Sequence, residues 1–363
     1  MRLLILSLTL LISTLGIAQP VRDSMPVRGL CIGAPGPDDV QTFADFIDDE
    51  LARLGVNTLV LRVDFNFEYQ SHPELRDDNY LSQDDVDLLK SVCAQHGIEI
   101  IPQINLLGHQ SWHSKVTKLL EVYPQFDETP GVIMPDEYEW PNDDGLYCKS
   151  YCPLHPEVHE IVLALVDEIM DAFDATAFHA GMDEVFYIGD NKCPRCSGRD
   201  KAELFAGEVT KIRNHLAQSD RTLWIWGDRL IDGRTTGIGL WEASMNNTHR
   251  AIDMIPKDVV ICDWHYERAE PTAAYFATKG FRVITCPWRR SSVALEQLED
   301  WKRFQENANP VLAQNNLGMM QTIWSGASGF MEQFENAKEE NNDNNLTGSV
   351  LCFKALFEAM NEE

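Results

Sequence analysis

The residues in this chain whose types and spacing point most directly to chemistry are the adjacent carboxylates Asp183 and Glu184, which close the stretch Ala177-Phe178-His179-Ala180-Gly181-Met182. Neighbours inside a strand point to opposite faces, but where the chain leaves a strand both side chains can turn into one mouth. Two carboxylates held close in poorly solvated surroundings resist double ionisation. The pair therefore predicts one raised pKa and a group able to donate a proton near neutral pH. Polar and aromatic residues recur at the ends of other apolar runs: Asp64, then Asn105 and His109, Trp226 and Asp228, Trp264 and Tyr266, Trp288, and Trp324. Aromatic walls with a few carboxylates suit a pyranose, whose apolar face stacks on a ring while its hydroxyls take charge-assisted hydrogen bonds. Arg289 and Arg290 follow Trp288. They read either as bidentate recognition of a sulfate or uronate or, more plainly, as salt-bridged residues at a helix start.

Nine cysteines are present, and four fall in two close pairs, Cys148 with Cys152 and Cys193 with Cys196. The spacing fits a four-thiolate structural zinc site or two loop-tying disulfides, and neither assigns a catalytic metal. Cys31, Cys262, Cys286 and Cys352 sit in apolar contexts and read as small buried hydrophobes. No cofactor is expected.

Eight apolar or β-branched runs must position these groups: 29–34, 58–64, 99–106, 177–184, 222–228, 259–265, 282–288 and 318–325. Continuous runs such as Thr58-Leu59-Val60-Leu61 are typical of strands buried on both faces, and the segments between carry helical periodicity. Val158, Ile161, Val162, Leu165, Ile169 and Phe173, for example, share one helix face. Eight β-then-α units predict a single (β/α)8 TIM barrel, an α/β fold over residues 19–363, whose active groups sit at the strand ends. A doubly wound sheet is disfavoured because Gly33-Ala34-Pro35-Gly36-Pro37 makes a poor phosphate cradle after the first strand. Two insertions stand out, 107–153 and the Asn-rich 335–349.

The chain has 363 residues, 44% hydrophobic, with 30 Lys+Arg against 57 Asp+Glu and a net charge of −27. That composition excludes a disordered or collagen-like chain, and the charge argues against nucleic acid or anionic lipid as a partner. Arg2, the apolar run 3–12 and the small residues Gly16 and Ala18 predict a signal peptide over 1–18, hence a secreted or periplasmic protein with no membrane attachment after cleavage. A homodimer is compatible with such a barrel but nothing in the sequence requires it.

The segment Phe178-His179-Ala180-Gly181-Met182-Asp183-Glu184-Val185 resembles the His-x-Gly-Gly-Asp-Glu signature of the family 20 glycoside hydrolases, the β-N-acetylhexosaminidases. Arg28-Gly29-Leu30, Ile101-Pro102-Gln103-Ile104-Asn105-Leu106-Leu107-Gly108-His109 and Ile323-Trp324-Ser325 are similar, in order, to that family's further motifs. The resemblance implies substrate-assisted retaining hydrolysis of a glycan bearing a 2-acetamido sugar, GlcNAc or GalNAc. It would make Glu184 the acid and base, Asp183 the group that orients the acetamide, His109 a support for the acid, and Trp226, Trp264 and Trp324 the aromatic walls. The chain departs from the pattern at Met182, Gln103, Asn105 and Gly326. Gly36-Pro37 stands where the family places a sugar-binding arginine, Tyr266 is the candidate for its acetamide-holding tyrosine, and the small domain usual before the barrel is not expected. Two alternatives stay open: a glycan-binding protein without turnover, and a glycosidase of different specificity or mechanism with Asp228, Glu242 or Asp263 as nucleophile.

Overall fold

The computed structural model describes residues 24–142, 145–339 and 348–362. The leader expected over 1–18, and most of the Asn-rich part of the second insertion, lie outside the described residues. Eight parallel strands close into a barrel: β1 (Val27–Gly33), β2 (Thr58–Arg62), β3 (Glu99–Leu106), β4 (Ala177–Gly181), β5 (Thr222–Trp226), β6 (Val260–Trp264), β7 (Arg282–Cys286) and β8 (Asn316–Gly326). Each pairs with its neighbours in sequence, and β8 closes on β1. The fold is the (β/α)8 barrel that the eight runs predict. Several strands stop short of their expected ends, so Asp64, Asp183, Glu184 and Asp228 leave the ladder and project from the loops above it.

Period-two alternation separates two cores. Outward residues such as Leu59, Leu61, Ile100, Ile225 and Ile261 pack under the helices, while Cys31, Val60, Ile101, Ala177, Trp224, Cys262, Ile284 and Met320 fill the barrel interior. The longer helices are α1 (40–54), α2 (Gln83–Gln95), α3 (Val158–Ala172), α4 (Lys201–Leu216), α5 (Thr272–Thr278), α6 (Ser291–Asn307), α7 (Ala327–Glu339) and α8 (Gly348–Asn361). In α3 the expected face is buried, with Val158, Val162, Leu165 and Ile169 all closed to solvent. A reciprocal cap between Ser82 and Asp85 starts α2, and Asp200 caps α4 through the amides of Ala202 and Glu203. Among the described residues no helix is long and apolar enough to cross a membrane.

One crossover departs from the β-then-α rhythm. Between β5 and β6 the chain makes only short helical turns, Asp228–Leu230, Gly233–Thr236 and Thr248–Asp253. Gly237, Gly239 and Asn247 there adopt positive φ, which breaks a helix. The resulting open loop crosses the top of the barrel beside the insertion 107–153.

The top of β4 is tightly packed. Gly181 has φ of +66°, and a Cβ there would meet Asn105 Oδ1 at 2.3 Å. Gly181→Ala should therefore lower stability by at least the ~1–2 kcal/mol of a left-handed non-glycine residue. Urea denaturation should show a lower midpoint with an unchanged slope; an unchanged midpoint would disprove the constraint.

Candidate active site

A cavity of about 890 Å³ opens at the C-terminal ends of the strands. β2 delivers Arg62 and Asp64, β3 Asn105 and His109, β4 Asp183 and Glu184, β6 Trp264 and Tyr266, β7 Trp288 and Arg289, and β8 Trp324. The insertion after β3 contributes Trp112, Tyr138, Trp140 and Tyr147, and the loop after β5 contributes Trp241 and Glu242.

Backbone geometry explains how adjacent residues face one space. Asp64, His109, Met182 and Glu184 all have φ between +48° and +67°. These left-handed turns at the strand ends reverse the alternation that would hold Asp183 and Glu184 on opposite faces. His109 Nε2 lies 3.2 Å from Asp183 Oδ2 and 3.4 Å from Glu184 Oε2. Burial alone would lower the pKa of His109, but the Asp183 carboxylate, with Cys148 and the contacts to Asp183 and Glu184, holds it well above the usual imidazole value. Burial likewise works against ionised Asp183, yet His109 holds it below the ordinary carboxylate range. The raised pKa expected from repulsion within the Asp183–Glu184 pair is thus not found on Asp183; an imidazolium compensates its charge.

Two carboxylates here are pushed up by burial: Asp64, against the pull of the Asn105 amide, Arg62 and His109, and Asp228, to about 6, partly opposed by Arg229 and reinforced by Asp183. Asp228 does not line the cavity. Its Oδ2 accepts from Glu184 N at 2.9 Å and Arg229 Nε at 2.6 Å, and Trp264 Nε1 donates to Oδ1 at 3.3 Å. Arg229 in turn donates to the carbonyls of Leu240, Trp241 and Ala243 at 2.8–3.0 Å and lies over the ring of Phe186. Asp228 is therefore a support beneath Glu184 and not part of the cavity lining.

Trp226 is also misplaced by the sequence reading. It is fully buried, packed on His179 and Trp324 below the cavity floor, because its depth in the barrel is one layer under the mouth. Trp264, Tyr266, Trp288 and Trp324 do line the cavity. Tyr266 Oη accepts from Trp324 Nε1 at 2.9 Å, while Thr322 Oγ1, 3.4 Å away, gives its hydrogen to Pro287 O at 2.9 Å. Asp64 accepts from Asn105 N at 2.7 Å and from Asn105 Nδ2 at 3.4 Å, so the Asn105 departure converts an acid pair into an acid–amide pair.

The sequence reading missed Arg62. Nη2 donates to Ile323 O at 2.8 Å, the guanidinium lies 4.9 Å over Trp324, and among the described residues Nε has no partner. Gly36 and Pro37 do not line the cavity, so β2 supplies the guanidinium absent after β1. The signal for it was local: Val60, Arg62 and Asp64 share one parity. Tyr147 and Trp241, whose rings are 4.9 Å apart, had no such signal because they come from two irregular loops. Arg289 and Arg290 both pair with Glu267, and α6 begins after them, so the plainer reading of the two describes their contacts.

The cysteine pairs do not converge as four thiols. Cys148 Sγ sits 3.7 Å from Glu184 O, while Cys152, Cys193 and Cys196 gather around Glu128. All nine cysteines are unbridged. The four-thiolate site and the two disulfides expected from spacing are both corrected by this, because the five residues from 148 to 152 carry the chain from the cavity wall into the loop interior.

A closed parallel barrel with acids, aromatics and an arginine at its strand ends keeps these groups where barrel enzymes have their active sites. The family model of the glycosyl hydrolase family 20 catalytic domain matches residues 58–349. The chain belongs to that family. It is similar to a β-hexosaminidase of Akkermansia muciniphila, 29% identical over 38% of this chain and 27% of that protein, and to hexosaminidase D of Bos taurus, 24% identical over 49% of each. The chain thus spans less than half the length of either. The β-N-acetylhexosaminidase structure from Bacteroides fragilis superposes with a TM-score of 0.62 at 18% identity, covering 95% of this chain and 67% of that one. At that identity the likeness concerns the fold.

Two outcomes follow. Arg229→Met leaves Asp228 buried without its cation and should cost about 3–5 kcal/mol, read as a lower denaturant midpoint. A change below 1 kcal/mol would show that the pair anchors nothing. The lowered Asp183 contributes stability above its ordinary pKa of 3.8, lost as pH falls; the raised His109 contributes fully below 6.5, lost as pH rises through its folded value. Both contributions are therefore complete between those two values. In Asp183→Asn the His109 pKa should fall, since burial then meets less opposition, as read by NMR titration of the ring; an unmoved value would remove Asp183 as its partner.

Proposed function

We propose that the chain is a glycosidase that removes β-linked N-acetylhexosamine, GlcNAc or GalNAc, from glycans by substrate-assisted retaining hydrolysis. The observation that carries this is the distribution of charge among the carboxylates at the cavity. Asp64 is engaged by Asn105, Glu242 accepts from His265 Nδ1 at 2.9 Å and Tyr266 N at 3.1 Å, and Glu267 holds Arg289 and Arg290. Asp263 and Asp228 are buried behind the wall. Asp183 and Glu184 share His109, Asp183 Oδ1 has no hydrogen-bond partner among the described residues, and the two are neighbours on one side of the cavity. A scheme with an enzyme nucleophile needs carboxyls facing each other across the sugar at about 5–5.5 Å. Adjacent ones suit a reaction in which the substrate brings its own nucleophile.

In this reading Glu184 protonates the glycosidic oxygen as the acetamide carbonyl attacks C1, then takes a proton from the water that reopens the cyclic intermediate. Asp183, kept anionic by His109, accepts the acetamide N–H and stabilises the positive charge that develops on the ring. Its Oδ1 is buried and, among the described residues, has no hydrogen-bond partner, so a donor arriving with the substrate recovers its desolvation cost. The Tyr266 hydroxyl at the cavity wall suits the acetamide oxygen. Arg62 is placed for sugar hydroxyls, with Trp264, Trp288 and Trp324 as the apolar walls. The names of the hexosaminidase relatives support the sugar class. The leader over 1–18 adds that the reaction takes place outside the cytoplasm.

The p-nitrophenyl β-glycosides of GlcNAc and GalNAc test this. Wild-type protein should release nitrophenol from at least one and be inhibited by an N-acetyl-sugar thiazoline, and Glu184→Gln should lower kcat by about 10²–10⁴-fold. Failure to cleave either glycoside while the thiazoline still binds would make the chain a glycan-binding protein. Cleavage without thiazoline inhibition would point to an enzyme nucleophile.

A further inference from the structure

Behind the wall that carries Asp183 and Glu184, three sulfurs and a carboxylate converge without any role in the proposed chemistry. Cys152, Cys193, Cys196 and Glu128 are buried, and one ligand atom from each falls within 4.8 Å of all the others. Cys152 Sγ is 3.3 Å from Cys196 Sγ and 3.5 Å from Cys193 Sγ. A tetrahedral zinc ion with Zn–S bonds of about 2.3 Å places its sulfurs about 3.8 Å apart, so small shifts complete the geometry.

The local structure is built for it. Glu128 and Cys152 lie side by side because Asp127 and Tyr151 form an antiparallel bridge, with Glu128 N donating to Ser150 O at 3.0 Å and Cys152 N to Phe126 O. Cys193-Pro194-Arg195-Cys196 forms a tight knuckle in which Cys196 N donates to Cys193 Sγ at 3.4 Å and Ser197 N to Cys193 O at 3.1 Å. An N–H aimed at a cysteine sulfur stabilises the thiolate form that binds metal. Glu128 Oε1 accepts from Asp190 N at 3.0 Å, which orients the carboxylate from outside, whereas Oε2 is buried with no hydrogen-bond partner among the described residues. An unsatisfied carboxylate oxygen amid three thiols is costly unless a cation binds there. A disulfide would consume two sulfurs and leave a thiol and this oxygen still unmatched.

We propose that Glu128, Cys152, Cys193 and Cys196 form a structural zinc site that clamps the insertion after β3 to the loop after β4. Binding displaces the three thiol protons and leaves no open coordination position, so the site is closed to catalysis. Its place in the chain gives it a purpose. Cys152 follows by four residues Cys148, whose sulfur touches the Glu184 carbonyl, and Cys193 follows Glu184 in the same loop. The clamp fixes the wall that holds Tyr138, Trp140 and Tyr147 against the loop that holds the acid pair.

The test uses full-length protein produced with zinc in the medium and read by elemental analysis, independent of any glycosidase activity. One zinc per chain is expected, retained in Cys148→Ser and reduced at least tenfold in Cys193→Ser and Glu128→Gln. Because Cys193→Ser can fail to fold, wild-type protein is also exchanged into cobalt(II). A thiolate-to-cobalt charge-transfer band supports the site, as does zinc release on titration with a mercurial. Folded wild-type protein free of metal after zinc is added back overturns the proposal. So does a non-reduced peptide linking two of the three cysteines, or loss of zinc in Cys148→Ser.

Discussion

The site hangs on one buried ion pair. Asp228 and Arg229 are neighbours in sequence, closed to solvent, and joined through Nε and Oδ2. A carboxylate and a guanidinium removed from water lose several kcal/mol of hydration each, which their mutual attraction offsets only when the remaining polar atoms also find partners. Here they largely do. Asp228 collects the amide of Glu184 and the indole of Trp264, and Arg229 collects three carbonyls of the loop after β5. The pair thereby joins the acid, an aromatic wall and the loop bearing Trp241 and Glu242. Beside the backbone bonds that Ser244 makes with Ile231 and Gly233, the guanidinium holds the stretch 240–243 of that loop in place.

The barrel interior and the cavity are one continuous surface seen at different heights. Inward residues run from Val60 to Arg62, from Ile101 through Gln103 to Asn105, and from Cys262 to Trp264. Apolar contacts at the base give way to polar groups near the mouth, and the change of chemistry marks the depth at which water or substrate first enters. His179 and Trp226 lie just beneath, and their packing on each other and on Trp324 makes the floor rigid. Rigid support allows strained backbone at Met182 and Glu184 to persist, since tertiary contacts over-determine those conformations.

The overall charge of −27 says little about the cavity. Its acids are individually matched, by His109, His265, Asn105, Arg289 and Arg290, and Arg62 adds a cation at the wall. What such a cavity offers a ligand is an ordered set of dipoles and charges fixed before binding, the arrangement that favours developing charge over a ground state.

The eight strands were legible in the sequence because a strand buried on both faces is a local, repeated pattern, and the acid pair, His109 and the outer tryptophans were legible because they sit where those strands end. Arg62 was legible in principle from the parity of Val60 and Asp64. What the sequence by itself determined was therefore the barrel and which residues stand at its rim. Only the tertiary structure decided how deep each residue lies and which loops meet. Trp226 falls one layer too low to be a wall, Asp228 becomes a support, Cys148 parts from Cys152, and Glu128 joins three cysteines up to 68 positions away in the chain. Alternation along a strand is fixed by neighbouring peptide units, whereas height in a barrel and the meeting of loops depend on closure of all eight strands, which no single segment encodes.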